Sequence, residues 1–182
     1  LKQYPEYIFN FEGAVKYAWM KEYYPAQYEE MKKFIESGRW HISGASWDAT
    51  DTLVPSIESA IRNIMLGQDY YRKEFGVEST DIFLPDCFGF GWTLPAIASH
   101  CGLIGFSSQK LQWRNKPFYG NDKYPFTVGL WQGIDGSTIM MTHGYDYNQR
   151  FEDGDLSENK DLLELTGHSP LHMVYRYYGT GD

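Results

Sequence analysis

Apolar and polar positions in the first 110 residues switch repeatedly between strand and helix periodicity. Short β-rich or apolar runs are bounded by turn residues, and each is followed by apolar residues at a spacing of about 3.6. The predicted strands are Tyr7–Phe11, Arg39–Ser43, Ile82–Leu84 and Ile104–Ser107. The predicted helices have apolar faces that include Ala14, Val15, Ala18 and Trp19, then Tyr28, Met31, Phe34 and Ile35, then Ile57, Ala60, Ile61, Ile64, Tyr71 and Phe75, and lastly Leu94–Cys101.

Local signals mark where these helices begin and end. Ser56 is a predicted N-cap, and Gly38 and Gly76 stand where a left-handed residue ends a helix. Further along, Asp135-Gly136 predicts a type I′ turn that joins Val128–Gln132 to Ser137–Thr142 in a hairpin. An acidic loop over Phe151–Asp161 and a last strand over Met173–Tyr178 complete the predicted elements.

Strands that alternate with helices predict an α/β fold with a mostly parallel sheet. A closed β/α barrel usually needs about 250 residues, and this chain has 182. The expected architecture is therefore a partial β/α barrel, a fragment of a larger barrel domain. The chain starts without Met, on the approach to a strand, which also suggests a piece of a longer protein.

The stretch from Asp81 to Trp92 holds the strongest candidate for chemistry. Pro85 ends the apolar strand Ile82–Leu84, so Asp86 follows the carboxyl end of a buried strand, where barrel enzymes keep their catalytic groups. The glycines and aromatic residues after it surround one carboxylate with flexible backbone and flat apolar surface. An aspartate at this position can also serve as an N-cap or turn residue, so position alone leaves both roles open.

Composition narrows the class of partner. The net charge of −8, the pI of about 5.1 and the absence of a Lys/Arg cluster argue against nucleic acid and anionic membranes as partners. Aromatic residues make up 18 % of the chain, and such rings form platforms for the C–H faces of sugars. Cys87 and Cys101 are too few for a disulfide framework, and we expect Cys87 to be a small buried hydrophobe.

Eight strings, in order, resemble the retaining α-mannosidases of glycoside hydrolase family 38, particularly the bacterial branch. They are Y-P-E-Y-I-F from Tyr4, G-R-W from Gly38, W-D-A-T-D-T-L-V-P-S-I-E-S from Trp47, Y-Y-R-K-E-F-G from Tyr70, F-L-P-D-C-F-G-F from Phe83, Q-K-L-Q-W from Gln109, W-Q-G-I-D-G-S from Trp131 and Y-G-T-G-D from Tyr178. Any one string is weak, but together they cover nearly the whole chain.

The resemblance implies a function and a fold. It implies a retaining α-mannosidase that hydrolyses terminal α-linked mannose through a covalent mannosyl-enzyme intermediate, with mannose-containing glycans as partners. It implies that residues 1–182 are part of a seven-stranded catalytic β/α barrel, truncated at both ends. In this family the aspartate of the L-P-D string is both nucleophile and ligand of a divalent metal, usually Zn²⁺, which assigns both roles to Asp86.

The family's His-x-Asp ligand pair is not found in this chain, because none of its five histidines is followed two residues later by Asp. A catalytic zinc usually has three protein ligands, and one aspartate cannot supply them. The other ligands are therefore expected outside this segment. The hypothesis that follows is that the isolated fragment binds zinc weakly and is inactive, and mannosidase activity from the 182-residue chain would disprove it.

The resemblance suggests further site residues. Asp182, in Y-G-T-G-D, is the first candidate for the acid/base, although a terminal aspartate is also expected to be mobile. Asp51, on the same predicted rim as Asp86, is the second candidate, and a turn role explains it equally well. Lys110 matches a basic position near the nucleophile, where a cation favours an ionised carboxylate, and a solvated lysine at the rim is the alternative.

Aromatic residues supply the remaining candidates. Trp47, Trp92, Trp113 and Trp131 are candidates for stacking on mannose, and we expect one or two of them to do so because such tryptophans are more often in the core. His143 follows a predicted strand, and a structural role is favoured over a site role.

Two other functions stay open. One is a metal-dependent carbohydrate deacetylase-like barrel, in which metal-bound water attacks and no nucleophilic carboxylate is needed. The other is a non-catalytic carbohydrate-binding segment that uses the aromatic rim alone. The sequence leaves linkage, metal identity, compartment (cytoplasm or periplasm) and a homo-oligomer of the full-length enzyme undecided.

Overall fold

The computed structural model describes residues 1–112, 127–143, 158–169 and 171–175. Its strands and helices alternate in the order predicted for an α/β fold. They are β1 (Phe9–Phe11), α1 (Ala14–Tyr23), α2 (Pro25–Glu36), β2 (Trp40–Ile42), α3 (Ile57–Phe75), β3 (Asp81–Phe83), α4 (Leu94–His100), β4 (Gly105–Ser108), a 3₁₀ turn (Lys110–Gln112), β5 (Val128–Gln132), β6 (Thr138–His143) and α5 (Lys160–His168).

The strands form two sheets that are mostly parallel. β1 pairs with β2, and the second sheet has the order β3-β4-β6-β5, with only β5 antiparallel to its neighbour. The Ala45 N–H donates to the Asp81 carbonyl at 2.8 Å, so the segment after β2 continues beside β3. The predicted α/β class with parallel strands is confirmed. The described residues contain six strands, and the barrel stays a prediction.

The predicted helix caps are confirmed. The Ser56 hydroxyl accepts the Ser59 N–H at 3.2 Å at the start of α3, which satisfies one of the free donors of the first turn. Gly38 (φ 73°) and Gly76 (φ 67°) adopt the left-handed conformation that follows α2 and α3. These local signals place both helix ends within a residue of the expected positions.

Two apolar clusters hold the elements together. One lies between α4 and strands β3, β4 and β6, and the other between α1, α2, α3 and β2. The prediction that Trp19 and Ile57 are buried is wrong, because both are exposed. In α1 the buried face carries Tyr17 instead, whose hydroxyl donates to the Phe11 carbonyl and accepts the Trp40 indole N–H, each at 3.0 Å.

Three expectations for the later part of the chain need correction. The β5–β6 turn is not type I′, because Asp135 keeps a negative φ and only Gly136 (φ 86°) is left-handed, with its N–H donated to the Gly133 carbonyl. Helix α5 was not predicted, although the Asn159 side chain accepts the Leu162 N–H at 3.1 Å as an N-cap. Residues 173–175 of the predicted last strand are not in a strand, and 176–178 lie outside the described residues.

Candidate active site

The carboxyl ends of β3 and β4 lie side by side, and the segment after β2 continues beside β3. Each of these three strands leads into a loop. Leu84 makes the last contact of β3 with β4, where its N–H donates to the Ser107 carbonyl at 2.9 Å. Pro85 then turns the chain away from the sheet, as its missing N–H predicts. Asp86 stands in this turn with its side chain 51 % exposed. Its carboxylate is therefore accessible to a ligand at the edge where parallel α/β folds carry their sites.

Lys110 lies against this carboxylate. Its Nζ is 2.8 Å from Asp86 Oδ1, and its side chain is only 8 % exposed. The same ammonium lies 5.0 Å from the centre of the Phe88 ring, a cation–π arrangement. Lys110 thus lies beside Asp86, as the resemblance implies, and its role in the site stays a prediction. Lys110 is nearly buried and Asp86 is half-exposed, so the ion pair orients the carboxylate from the side that faces the protein interior.

The loop that follows β2 contacts the other side of the Asp86 turn, which is the segment 85–92 between β3 and α4. The Thr52 hydroxyl donates to the Gly89 carbonyl at 2.8 Å, and the Cys87 thiol donates to the Thr50 carbonyl at 3.3 Å. Gly89 has φ 92°, a conformation that glycine adopts without strain. The contacts through Thr50 and Thr52 were missed from sequence, since nothing local indicates which hydroxyl reaches across to a loop 37 residues away.

The electrostatics of Cys87 agree with this arrangement. Burial raises the pKa of its thiol, and the negative charges of Asp51, Asp86 and Glu12 raise it further. A raised pKa keeps the thiol protonated, so Cys87 is a poor nucleophile at neutral pH. The expectation of a small buried hydrophobe needs one correction, because Cys87 is only half-buried, but its environment is that of an unreactive thiol.

Asp51 is on the predicted rim, but its carboxylate is engaged locally. Its Oδ1 accepts the backbone N–H groups of Leu53 at 2.7 Å and Val54 at 3.0 Å. This is the turn role that the sequence left open beside the chemical one. A role for Asp51 as the acid/base stays a prediction.

The tryptophans differ sharply in exposure. Trp47 packs against the helical cluster, with its ring 5.8 Å from that of Tyr70, and Trp131 packs edge-on against Phe106 at 5.1 Å. Trp92 is 73 % exposed. Of these three, Trp92 is the one whose ring is available for stacking on a sugar.

Retaining glycoside hydrolases use a carboxylate as their nucleophile, and Asp86 presents one at the end of a strand. The glycosyl hydrolases family 38 N-terminal domain matches residues 1–168. The chain belongs to glycosyl hydrolase family 38. The predicted resemblance to this family is confirmed.

The relatives are named α-mannosidases. The chain is 37 % identical to alpha-mannosidase G of Dictyostelium discoideum over 98 % of its own length and 16 % of that protein. It is 32 % identical to human alpha-mannosidase 2C1 over 78 % of its length and 13 % of that protein. The chain thus spans about a sixth or less of the length of these curated relatives.

A solved structure supports the fold. The 4-alpha-glucanotransferase from Thermococcus litoralis superposes with a TM-score of 0.71 over 98 % of this chain and 28 % of that chain. The sequence identity is 15 %, so this likeness concerns the arrangement of strands and helices alone.

Three other candidates have different outcomes. Asp182 and Trp113 lie outside the described residues, so their roles stay predictions. His143 is fully buried at the end of β6, which is the position expected of a structural histidine.

Among the described helices, none combines the length and the apolar character that crossing a bilayer requires.

The described residues do not by themselves fit a zinc site. Across 1–112, 127–143, 158–169 and 171–175, no three His, Cys, Asp or Glu side chains are placed to hold a metal ion. Asp86 is one potential ligand, and its Oδ1 is bonded to Lys110. A catalytic zinc usually has three protein ligands. The chemistry that these residues can supply is therefore that of the Asp86 carboxylate and the Lys110 ammonium group.

Proposed function

We propose that this chain carries the nucleophile of a retaining α-mannosidase, and that Asp86 is that nucleophile. The observation that supports the proposal most directly is the half-exposed carboxylate of Asp86, paired at 2.8 Å with the nearly buried Lys110 where parallel strands end. Membership of glycosyl hydrolase family 38 and relatives named α-mannosidases support the substrate class. Terminal α-linked mannose of glycans is the proposed substrate.

The reaction needs two steps. In the first, a carboxylate oxygen of Asp86 bonds to the anomeric carbon while the bond to the leaving-group oxygen breaks, and a carboxylic acid gives that oxygen its proton. In the second, the same acid, now ionised, takes a proton from water, which attacks the anomeric carbon and releases Asp86. The configuration is retained because the anomeric carbon is inverted twice. Asp182, with Asp51 as the alternative, is the proposed acid/base.

Lys110 acts as a positioning residue in this scheme. Its ammonium holds Oδ1, which leaves the other carboxylate oxygen to attack. The backbone N–H of Lys110 donates to Ser108 Oγ at 3.1 Å, and this bond anchors the 3₁₀ turn that carries the lysine. A carboxylate whose orientation is set before substrate arrives needs less reorganisation in the transition state.

The same proposal extends to the domain and the metal. We propose that residues 1–182 are part of a family 38 catalytic domain with a seven-stranded β/α barrel, which the parallel strands and the α/β likeness to a solved structure support. Zinc stays a prediction, and Asp86 is the described residue proposed as one of its ligands. When bound, such an ion would stabilise charge at the sugar hydroxyls.

The test replaces the nucleophile in the full-length protein. Asp86→Asn keeps the size of the side chain and removes its negative charge, so we expect hydrolysis of an α-mannoside to fall by on the order of 10⁴-fold or more. Asp69→Asn, at an exposed aspartate of α3 that pairs with Lys73, is the matched control and should keep normal activity. A fluorinated mannosyl donor should label Asp86 in the unmodified protein, as mass spectrometry of a digest would show. Labelling of a different residue, or full activity in Asp86→Asn, would refute the proposal.

A further inference from the structure

The Asp86 turn lies between two flanks of opposite chemistry. On the β4 side, Lys110 places an ammonium group against the carboxylate. On the β2 side, the loop after that strand reaches the turn through the Thr52 to Gly89 hydrogen bond and presents Leu53. One side of the candidate nucleophile thus presents an ammonium group, and the other presents the aliphatic side chain of Leu53, next to the locally bonded carboxylate of Asp51.

Leu53 is held in place on this second flank. A side-chain carbon added at Gly89 would lie 2.6 Å from Leu53 Cδ1, and one added at Gly91 would lie 3.6 Å from Cδ2, so Leu53 fills the space that these glycines leave. Its backbone is also fixed, because its N–H and that of Val54 both donate to Asp51 Oδ1. The aliphatic group therefore has a defined position beside the turn that carries Asp86.

Much of this aliphatic surface is left in water. Leu53 is 59 % exposed and the adjacent Val54 is 86 % exposed, while Phe88 and Trp92 expose their rings on the Asp86 turn itself. Apolar surface in water is stabilised when an apolar group covers it. Leu53 lies against Gly89 and Gly91, in the segment that carries the carboxylate proposed to react. A part of the substrate is therefore a candidate to cover this surface.

We propose that Leu53 and Val54 form the leaving-group side of the site and determine a preference for mannosides with an apolar leaving group, such as an alkyl or aryl aglycone. The inference rests on the proposed function of Asp86. The hydroxyl-rich mannose ring faces the charged flank, where Lys110 and Asp86 supply hydrogen-bonding groups. The group beyond the glycosidic oxygen then lies towards the aliphatic flank, and Leu53 is a specificity-determining residue.

The experiment compares two substrates that differ only in apolar length. Methyl and hexyl α-D-mannoside have alkoxide leaving groups of similar basicity, so the ratio of their kcat/KM values reports contacts with the alkyl chain. The full-length protein should prefer the hexyl compound, and Leu53→Asn should lower the ratio by about fivefold, since apolar contact is lost at a partly exposed site. Leu53→Ala should lower it less. Ile134→Asn, at an equally exposed position in the β5–β6 turn at the other end of the sheet, should leave the ratio unchanged.

The outcomes separate this inference from the function on which it rests. Equal ratios for the unmodified protein and Leu53→Asn, or an equal fall in Ile134→Asn, would overturn the leaving-group role while hydrolysis of mannosides stands. Binding of both compounds to full-length Asp86→Asn, measured by calorimetry, gives a readout without turnover. Tighter binding of the hexyl compound to Asp86→Asn supports the apolar flank if the difference disappears when Leu53→Asn is added to that variant. Equal binding of the two compounds to Asp86→Asn refutes it.

Discussion

Replacing Lys110 tests the central geometric feature of the site. Lys110→Met removes the ammonium group and keeps a flexible chain of similar length, which suits a side chain that is 8 % exposed. Lys110→Arg keeps the charge in a longer side chain. We expect the methionine variant to fold and to form the covalent intermediate slowly, and the arginine variant to keep part of the rate, because a cation still faces Asp86.

The size of the effect follows from the geometry of the pair. Two unit charges 2.8 Å apart attract by ~6 kcal/mol at an effective dielectric constant of about 20. The carboxylate is 51 % exposed and regains water when the cation is removed, so the net loss should be about 1–3 kcal/mol, between the values for surface and buried pairs. Loss of the fixed orientation of the carboxylate raises the barrier to attack, and a barrier higher by this ~1–3 kcal/mol lowers the rate by about 5- to 150-fold.

The assay is the rate at which a fluorinated mannosyl donor labels the full-length protein, because it isolates attack by Asp86 from the later hydrolysis. Lys21→Met is the matched control, since Lys21 also pairs with a carboxylate, Glu74 at 2.6 Å, but between α1 and α3. The control should label at the normal rate. A folded Lys110→Met protein that labels within twofold of the normal rate would refute the positioning role.

Two further predictions concern stability, each measured by urea denaturation. Gly89→Ala should lower the free energy of unfolding by about 1–3 kcal/mol, because φ is 92° and the added carbon meets Leu53. The control is Gly38→Ala, where φ is 73° and the added carbon meets open space, so this variant should show only the cost of the backbone conformation. Equal losses of stability in the two variants would contradict the contact with Leu53. Ser137, through its hydroxyl first and then its N–H, lowers the pKa of Asp135 from 3.8 to about 2. This contribution is present above pH 4 and is lost as the pH falls towards 2, so Asp135→Asn should destabilise at pH 7 and progressively less below pH 4; a constant difference would contradict it.

Much of the fold was predictable because its signals are local. Ser56 caps α3 with its own hydroxyl, Gly38 follows α2 in a left-handed conformation, and Pro85 ends the backbone pairing of β3, each through bonds within a few residues. The spacing of apolar residues predicted the buried face of a helix less reliably where tyrosines form part of the core. Tyr17 is buried in place of Trp19, because its hydroxyl finds the Phe11 carbonyl and the Trp40 indole.

From the order of residues alone it follows that an aspartate comes after a buried strand and a lysine after the next strand. What those two side chains contact depends on the packing of the strands, because the contacts join loops from separate strands. Lys110 reaches Asp86 across 24 residues, and the Thr52 loop reaches Gly89 across 37. Periodicity reports which face of an element is buried, whereas the position of a loop depends on packing between elements distant in sequence. For this reason the strand-end position of Asp86, the proposed nucleophile, was predictable, and its contacts with the neighbouring loops were not.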